Sequence, residues 1–292
     1  MTSFSENIRS HIRISDSLQR LLILNVAVFL VVRIVNAISG LFLHPILNFE
    51  DVSTFFAIPA DLSKLITKPW TIITYMFFHW DVMHIFFNML WLYWMGKIFQ
   101  EYLGNKKLVN TYLAGGFIGA LFFIAAYNFF PLFSNSLHGA FALGASASVL
   151  AITVATATLL PEYPIQLLFF GVVRLKWIAV ITIFLDLINI SGENAGGHIA
   201  HLGGAFYGFI YIRSLQKGTD LTAWLTRLFD RLSPSKKMKV AHRQKKRDED
   251  FNITKKAKQE QMDDILDKIS KSGYGSLTQE EKNFLFKMSK EN

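Results

Sequence analysis

Six apolar blocks dominate this chain, and each is long enough, at roughly 15–25 residues, to cross or nearly cross a hydrocarbon core. They span Leu21–Leu43, Ile85–Phe99 with an extension at its N-terminal end from His79 to His84, Leu108–Phe130, Ser146–Leu160, Leu175–Ile190 and His198–Ile212. The hydrophobic share of 51% is close to that of soluble domains, so the clustering carries the inference rather than the total. The sequence therefore predicts an all-α membrane protein built as a bundle of six transmembrane helices.

Basic residues predict which side of the membrane each loop occupies. They lie before the first block, after the second and between the fourth and fifth, at Arg9, Arg13, Arg20, Lys106, Lys107, Arg174 and Lys176. The loops on the other side hold only Lys64 and Lys68. Because cytoplasmic loops carry an excess of Lys and Arg, we expect a multi-pass protein of the cell (inner) membrane with both termini in the cytoplasm.

The net charge and the missing cysteines exclude several other classes of function. Most of the surplus behind the net charge of +8 lies beside predicted membrane ends. We therefore expect contact with anionic membrane lipids and reject nucleic acid as a partner. The chain has no cysteine, so disulfides and thiolate metal sites are excluded. The pattern predicts no particular oligomeric state.

The chain divides into three parts by composition. Residues 1–20 form a polar leader, residues 21–216 form the membrane unit, and residues 217–292 form a basic, soluble, helical tail. The tail ends in two short predicted helices around a Gly-Tyr-Gly turn, a hairpin suited to docking or regulation. Thr278 and Glu281 have the spacing of a capping box at the start of the second helix.

Strongly polar residues inside the apolar blocks are the candidates for function, because burying them in lipid is costly. They are His79, His84, Asn88, Ser146, Ser148, Asp186, His198 and His201. Small residues recur at every fourth position on two blocks, which lets helices approach closely. One set is Gly196, Ala200, Gly204 and Gly208, and the other is Ala147, Ala151 and Ala155. If these two seams face each other, Ser146 and His201 come together.

A serine beside a histidine is a nucleophile with a general base. Gly144 permits a sharp turn before the helix, and the backbone N–H groups at the helix start can face a developing oxyanion. His84 and Asn88 lie one helical turn apart and can add donors. Each residue also has a plainer interpretation: Ser146 as a helix cap, and His84 with Asn88 as interhelical contacts.

A metal site is the alternative for the last two histidines. His198 and His201 have the i, i+3 spacing of metal ligands, but Glu193 is the only carboxylate near them in sequence. The chain has no His-Glu-x-x-His motif, so we expect no metal and no other cofactor. His198 is then interfacial, and Asp186 has a structural role in its helix.

Taken together, three segments resemble the rhomboid family of intramembrane serine proteases. The run from His79 to Gly104 looks like the family's second helix, with two histidines, an asparagine and a closing Glu-x-x-Gly. GASA at 144–147 looks like the nucleophile motif, and AHLGGAFYG at 200–208 looks like the sixth-helix motif. One departure is Leu150, because the family often has an aromatic residue four positions after the serine.

The resemblance implies a rhomboid-like fold and assigns roles to residues. Ser146 would be the nucleophile and His201 the general base. His84, Asn88 and the Ser146 backbone N–H would stabilise the oxyanion. Supporting roles would fall to Gly144 and Gly204 in their motifs and to His79 in the loop above the site.

The function implied is hydrolysis of peptide bonds in or near transmembrane segments of membrane-protein substrates. One alternative is a catalytically silent rhomboid-like protein that binds membrane clients. The other is a transporter of a metal or small solute that uses the histidines.

Overall fold

The computed structural model describes residues 16–41, 49–79, 81–167, 171–232 and 261–291. The chain divides into two compact units, Met1–Ser233 and Pro234–Asn292. The described part of the first unit contains ten α-helices. They are α1 (Ser17–Leu41), α2 (Phe49–Phe56), α3 (Leu62–Thr67), α4 (Thr71–Thr74), α5 (Val82–Leu103), α6 (Asn105–Phe129), α7 (Ser146–Leu159), α8 (Leu175–Ile188), α9 (Ala195–Gln216) and α10 (Ala223–Leu232).

The six apolar blocks correspond to six of these helices, namely α1, α5, α6, α7, α8 and α9. By length and composition, α1 and α6 are long and apolar enough to cross a membrane, and α7 is a shorter apolar helix. The predicted helices are therefore confirmed, whereas the count of six membrane spans stays a prediction.

Two short strand pairings depart from a purely helical fold. Strand β1 (Ile58–Pro59) pairs antiparallel with β2 (Phe141–Ala142), with Ile58 opposite Ala142. Strands β3 (Pro164–Leu167) and β4 (Gly171–Arg174) form an antiparallel hairpin between α7 and α8. Short strands of this kind give no alternating apolar pattern long enough to predict from sequence. The β1–β2 pair joins the first long loop to the segment just before Ser146.

Asp61 strengthens that junction. Its carboxylate accepts from the Ser63 N–H at 2.8 Å, which caps α3, and lies 2.7 Å from Nδ1 of His138. Hydrogen bonds from Ser63 and then from His138 hold the pKa of Asp61 well below its usual range. The loop expected between Leu43 and Phe78 thus has its own structure over the residues described. Its exposed apolar side chains, including Ile66 and Ile73, suit contact with lipid.

Helix α7 lies in the interior of the first unit, and every residue from Ala147 to Ala157 is buried. Its closest neighbour is α9. A Cβ built on Gly204 would lie 2.1 Å from the Ala147 carbonyl oxygen, and one on Gly208 would lie 2.2 Å from that of Ala151. Only glycine allows two helix backbones to approach this closely.

The predicted contact between the two small-residue seams is therefore correct at Gly204 and Gly208 but not along the whole of α9. A Cβ on Gly196 would meet the Phe123 ring at 2.7 Å, and the Ala200 carbonyl oxygen lies 2.8 Å from the Cβ position of Gly119. Both partners are on α6, because α9 lies in a groove between α6 and α7. Every fourth residue along a helix drifts around its axis, so one seam can face two neighbours.

The second unit has the two helices expected from its sequence, α11 (residues 261–272) and α12 (Gln279–Glu291). The capping box is confirmed: the Thr278 N–H donates to Glu281 Oε2 at 2.7 Å and the Glu281 N–H to Thr278 Oγ1 at 3.3 Å. Lys268 of α11 also bonds Glu281, at 2.8 Å, and this contact lowers the pKa of the carboxyl. These contacts hold the hairpin together.

The seam predicts a sharp difference between two glycine-to-alanine changes. Gly204→Ala should destabilise the protein by about 1–3 kcal/mol, because the methyl group overlaps the Ala147 carbonyl oxygen. Gly40→Ala, whose Cβ would meet nothing within 4 Å, should be neutral or slightly stabilising. Thermal unfolding in detergent micelles measures both, and equal melting temperatures would contradict the close contact between α7 and α9.

Candidate active site

Ser146 begins α7 at the floor of a cavity of about 980 Å³. Its walls are formed by α5, by α8, by α9 and by the short segment that precedes α7. The four residues predicted to act together all line this cavity, namely Ser146, His201, His84 and Asn88. Asp186 lines it too. Residues more than 110 positions apart in the sequence are thus brought to one place.

The turn before Ser146 is held by hydrogen bonds to residues at the end of the first loop. Gly144 has φ +116°, a conformation that side chains other than glycine rarely adopt. Its N–H donates to the Tyr75 carbonyl at 2.9 Å, and the Ala145 N–H donates to His79 Nε2 at 3.3 Å. His79 is therefore buried behind the turn and does not line the cavity.

Ser146 is the first helical residue and not the cap, since the cap position belongs to Ala145, which makes no side-chain capping bond. The N–H of a first-turn residue has no acceptor within its own helix. The Ser146 N–H can consequently donate to an atom in the cavity. The interpretation of Ser146 as a capping residue does not agree with this geometry.

His84 and Asn88 lie one turn apart on α5, as their spacing predicted. The Asn88 amide donates to the His84 carbonyl at 2.9 Å, which uses one of its two N–H groups. A Cβ on Gly144 would lie 2.8 Å from the His84 ring. The ring therefore lies directly over the turn that carries Ser146.

His201 has a partner that the sequence did not predict. Its Nδ1 lies 2.9 Å from Oδ1 of Asp186 on α8, and Nδ1 of His198 lies 2.8 Å from the same oxygen. A carboxylate at Nδ1 holds the proton there and leaves Nε2 of His201 as an acceptor. Asp186 was expected to have only a structural role, and its contact with His201 places it where it would also orient the candidate base.

The sequence signal for this contact was weak. Asp186 lies twelve residues before His198 and fifteen before His201, on a different helix. Asp186 was a candidate only because burying a carboxylate in an apolar block costs free energy. Leu150, where the rhomboid family often has an aromatic residue, lines the cavity and supplies no ring to stack on the imidazole. The carboxylate fixes the imidazole ring instead.

Ser146 and His201 share the cavity without a direct hydrogen bond, since none joins them among the residues that the structure describes. Contacts between a nucleophile and its base are often long before substrate binds. Ser148, by contrast, is fully buried, and its hydroxyl points toward α6 at the Cβ position of Gly116. Gly204 lies in the seam below the site, and His198 does not line the cavity.

The contacts of Asp186 with the two histidines also create a possible metal site. Asp186, His198 and His201 could together hold one, because their ligand atoms lie within 4.8 Å of one another. Glu193 is the only carboxylate near this pair in sequence, but in the structure Asp186 of α8 contacts both rings. Two histidines and one carboxylate are a common set of metal ligands in proteins.

Comparison with known families gives a consistent result. Residues 67–217, about half of the chain, match the Rhomboid domain. The chain belongs to the rhomboid family. The matched range contains every one of the candidate site residues. Residues 245–291 of the second unit match a family of unknown function (DUF6576).

Several curated relatives with rhomboid in their names are similar to this chain. RHOMBOID-like protein 12, mitochondrial, of Arabidopsis thaliana is 32% identical over 51% of this chain and 47% of its own length. Presenilin-associated rhomboid-like protein, mitochondrial, of Rattus norvegicus is 29% identical over 58% and 43%. Rhomboid protease GlpG of Pectobacterium atrosepticum is 29% identical over 29% and 30%. This chain spans less than half the length of each of these relatives.

The strained turn at Gly144 generates a prediction about stability. Gly144→Ala should cost about 1–3 kcal/mol, because it forces an unfavourable φ and places a methyl group against the His84 ring. Gly139→Ala is a matched control in the same segment, with its nearest atom at 3.9 Å. Thermal unfolding compares the two variants, and a Gly144→Ala protein as stable as the control would contradict the described turn.

Proposed function

We propose that this rhomboid protein is an intramembrane serine endopeptidase that cleaves peptide bonds in or near transmembrane segments of membrane proteins. The observation that carries the proposal is the shared cavity of Ser146, His201, His84 and Asn88, with Asp186 at Nδ1 of His201. Family membership supports it further, as does the name of one relative, Rhomboid protease GlpG.

In this mechanism Ser146 attacks the carbonyl carbon of the scissile bond while Nε2 of His201 takes the hydroxyl proton. The proton then passes to the leaving amine, and an acyl-enzyme forms on Ser146. Water hydrolyses the ester by the reverse sequence of proton transfers. Asp186 keeps the His201 proton on Nδ1, so that Nε2 begins each cycle unprotonated.

The oxyanion is stabilised by the Ser146 N–H together with the side chains of His84 and Asn88. The second amide proton of Asn88 is available, because its bond to the His84 carbonyl uses only one. Removal of one such donor from a serine protease typically costs about 10²–10³ in kcat. Because the carbonyl of a helical residue is hydrogen-bonded to the N–H four residues further on, a substrate helix must unwind locally before it is cut.

The proposal includes a membrane arrangement. All six apolar helices span the bilayer, both termini face the cytoplasm, and the partners are transmembrane substrates and surrounding lipids. Because the chain has no cysteine, its orientation in the membrane can be tested with single-cysteine variants at the two ends of the bundle. In intact bacterial cells expressing the protein, an impermeant maleimide should label Ser134→Cys but label Lys217→Cys only after lysis. Labelling of Lys217→Cys in intact cells would reverse the orientation.

The catalytic pair is tested by cleavage of a tagged model transmembrane substrate in liposomes. Ser146→Ala and His201→Ala should each lower kcat by at least about 10⁴-fold, because neither residue can act without the other. Ser148→Ala is the matched control: it removes a buried hydroxyl outside the cavity and should leave activity unchanged. A fluorophosphonate should modify Ser146 in the wild type. Equal cleavage by wild type and Ser146→Ala would contradict the serine mechanism, and no cleavage by the wild type would favour the silent, client-binding alternative.

The role of Asp186 is tested in the same assay. Asp186→Asn should lower kcat by about 10²–10⁴-fold, the usual share of general-base catalysis, with little change in KM. Labelling of Ser146 by fluorophosphonate should slow in parallel. Glu193→Gln removes an equal charge from the nearby loop and should have no effect. If Asp186→Asn changes KM alone, then the carboxylate does not position the base.

A further inference from the structure

Asp186, His198 and His201 form a compact cluster with more ligand atoms than the proteolytic mechanism needs. Both Nδ1 atoms lie within 2.9 Å of a single carboxylate oxygen. The proposed reaction uses the contact of Asp186 with His201, but it has no use for His198. The side chain of His198 is 24% exposed and that of His201 22% exposed, so a solvated ion can reach them.

We propose that these three residues bind a divalent transition-metal ion, with Zn²⁺ as the best fit, and that the bound metal silences the active site. Two imidazole nitrogens and one carboxylate oxygen suit Zn²⁺ and leave a fourth tetrahedral position for water. Ca²⁺ and Mg²⁺ fit poorly, because both prefer a larger set of oxygen ligands. The inference rests on the proposed function, since it adds a mode of regulation to that site.

Silencing follows from the position of a single proton. In the hydrogen-bonded state the His201 proton is on Nδ1, facing Asp186, and Nε2 can accept the Ser146 proton. A metal that binds Nδ1 of His201 displaces that proton, so the neutral ring carries its proton on Nε2 instead. The number of protons on the ring is unchanged, but the ring can no longer act as the base. Proteolysis and metal binding are therefore mutually exclusive.

His198 is the residue that separates the two states. It donates to Asp186 at 2.8 Å but does not line the cavity, so the chemistry does not require it. His198→Asn retains an amide N–H for the carboxylate and removes a strong metal ligand. This variant should preserve the fold and the activity while it removes the metal site. Thermal unfolding without added metal verifies that its stability is retained.

The experiment uses full-length, tag-free protein in detergent, with equilibrium dialysis against buffered Zn²⁺ and atomic emission as the readout. Ser146→Ala should bind one Zn²⁺ per chain. Adding His198→Asn should weaken binding by at least roughly 10–100-fold, the loss seen when only an outer hydrogen-bond partner is removed. His138→Ala removes a His–Asp contact elsewhere in the first unit and should leave binding unchanged. Excess Mg²⁺ should not compete.

In the cleavage assay Zn²⁺ should inhibit the wild type reversibly, with activity restored by a chelator, and should not inhibit His198→Asn at the same concentration. Failure of Ser146→Ala to bind Zn²⁺, or equal binding after His198→Asn, overturns the metal site whatever the enzyme does. Zinc binding that leaves cleavage unaffected overturns the silencing. Zinc binding by a protein that cleaves nothing even with the chelator present overturns the proposed function and leaves the metal site intact.

Discussion

The contact between the backbones of α7 and α9 at Gly204 and Gly208 is the constraint on which the site depends. In the proposed membrane arrangement, lipid offers no hydrophobic driving force between helices, so close packing and polar contacts would hold them together. Ser146 begins α7 one residue before Ala147, whose carbonyl meets Gly204. His201 lies three residues before Gly204 on α9. A seam opened by the width of one methyl group would move the hydroxyl and the imidazole apart.

A second set of contacts determines how Ser146 is presented. The Gly144–Ala145 turn is held by the Tyr75 carbonyl and by His79, both close to the end of the first loop. The same loop is joined to β2 by strand pairing and to His138 by Asp61. The structure of the first loop and the geometry of the turn before Ser146 are therefore coupled. A partner or lipid that moves this loop would also move the backbone N–H groups facing the cavity.

Asp186 shows how a costly group can specify a site. A carboxylate in an apolar helix requires donors, and the two imidazoles of α9 supply them. The result orients the His201 ring without the stacked aromatic residue that rhomboids often use. It also brings α8, an otherwise peripheral helix, into the candidate active site. Although α8 has few buried residues, its Asp186 would therefore determine which nitrogen of His201 carries the proton.

The sequence alone determined the helices and the identity of the candidate residues. The apolar blocks, the capping box at Thr278, the glycine turn and the small-residue spacing are local patterns, and local patterns reflect local physical chemistry. Ser146, His201, His84 and Asn88 were all found this way. Only the tertiary structure decided that α9 divides its seam between α6 and α7, that the first loop supports the Ser146 turn, and that Asp186 faces His201. These features depend on how helices far apart in the chain rotate against one another, and neither periodicity nor spacing contains that rotation.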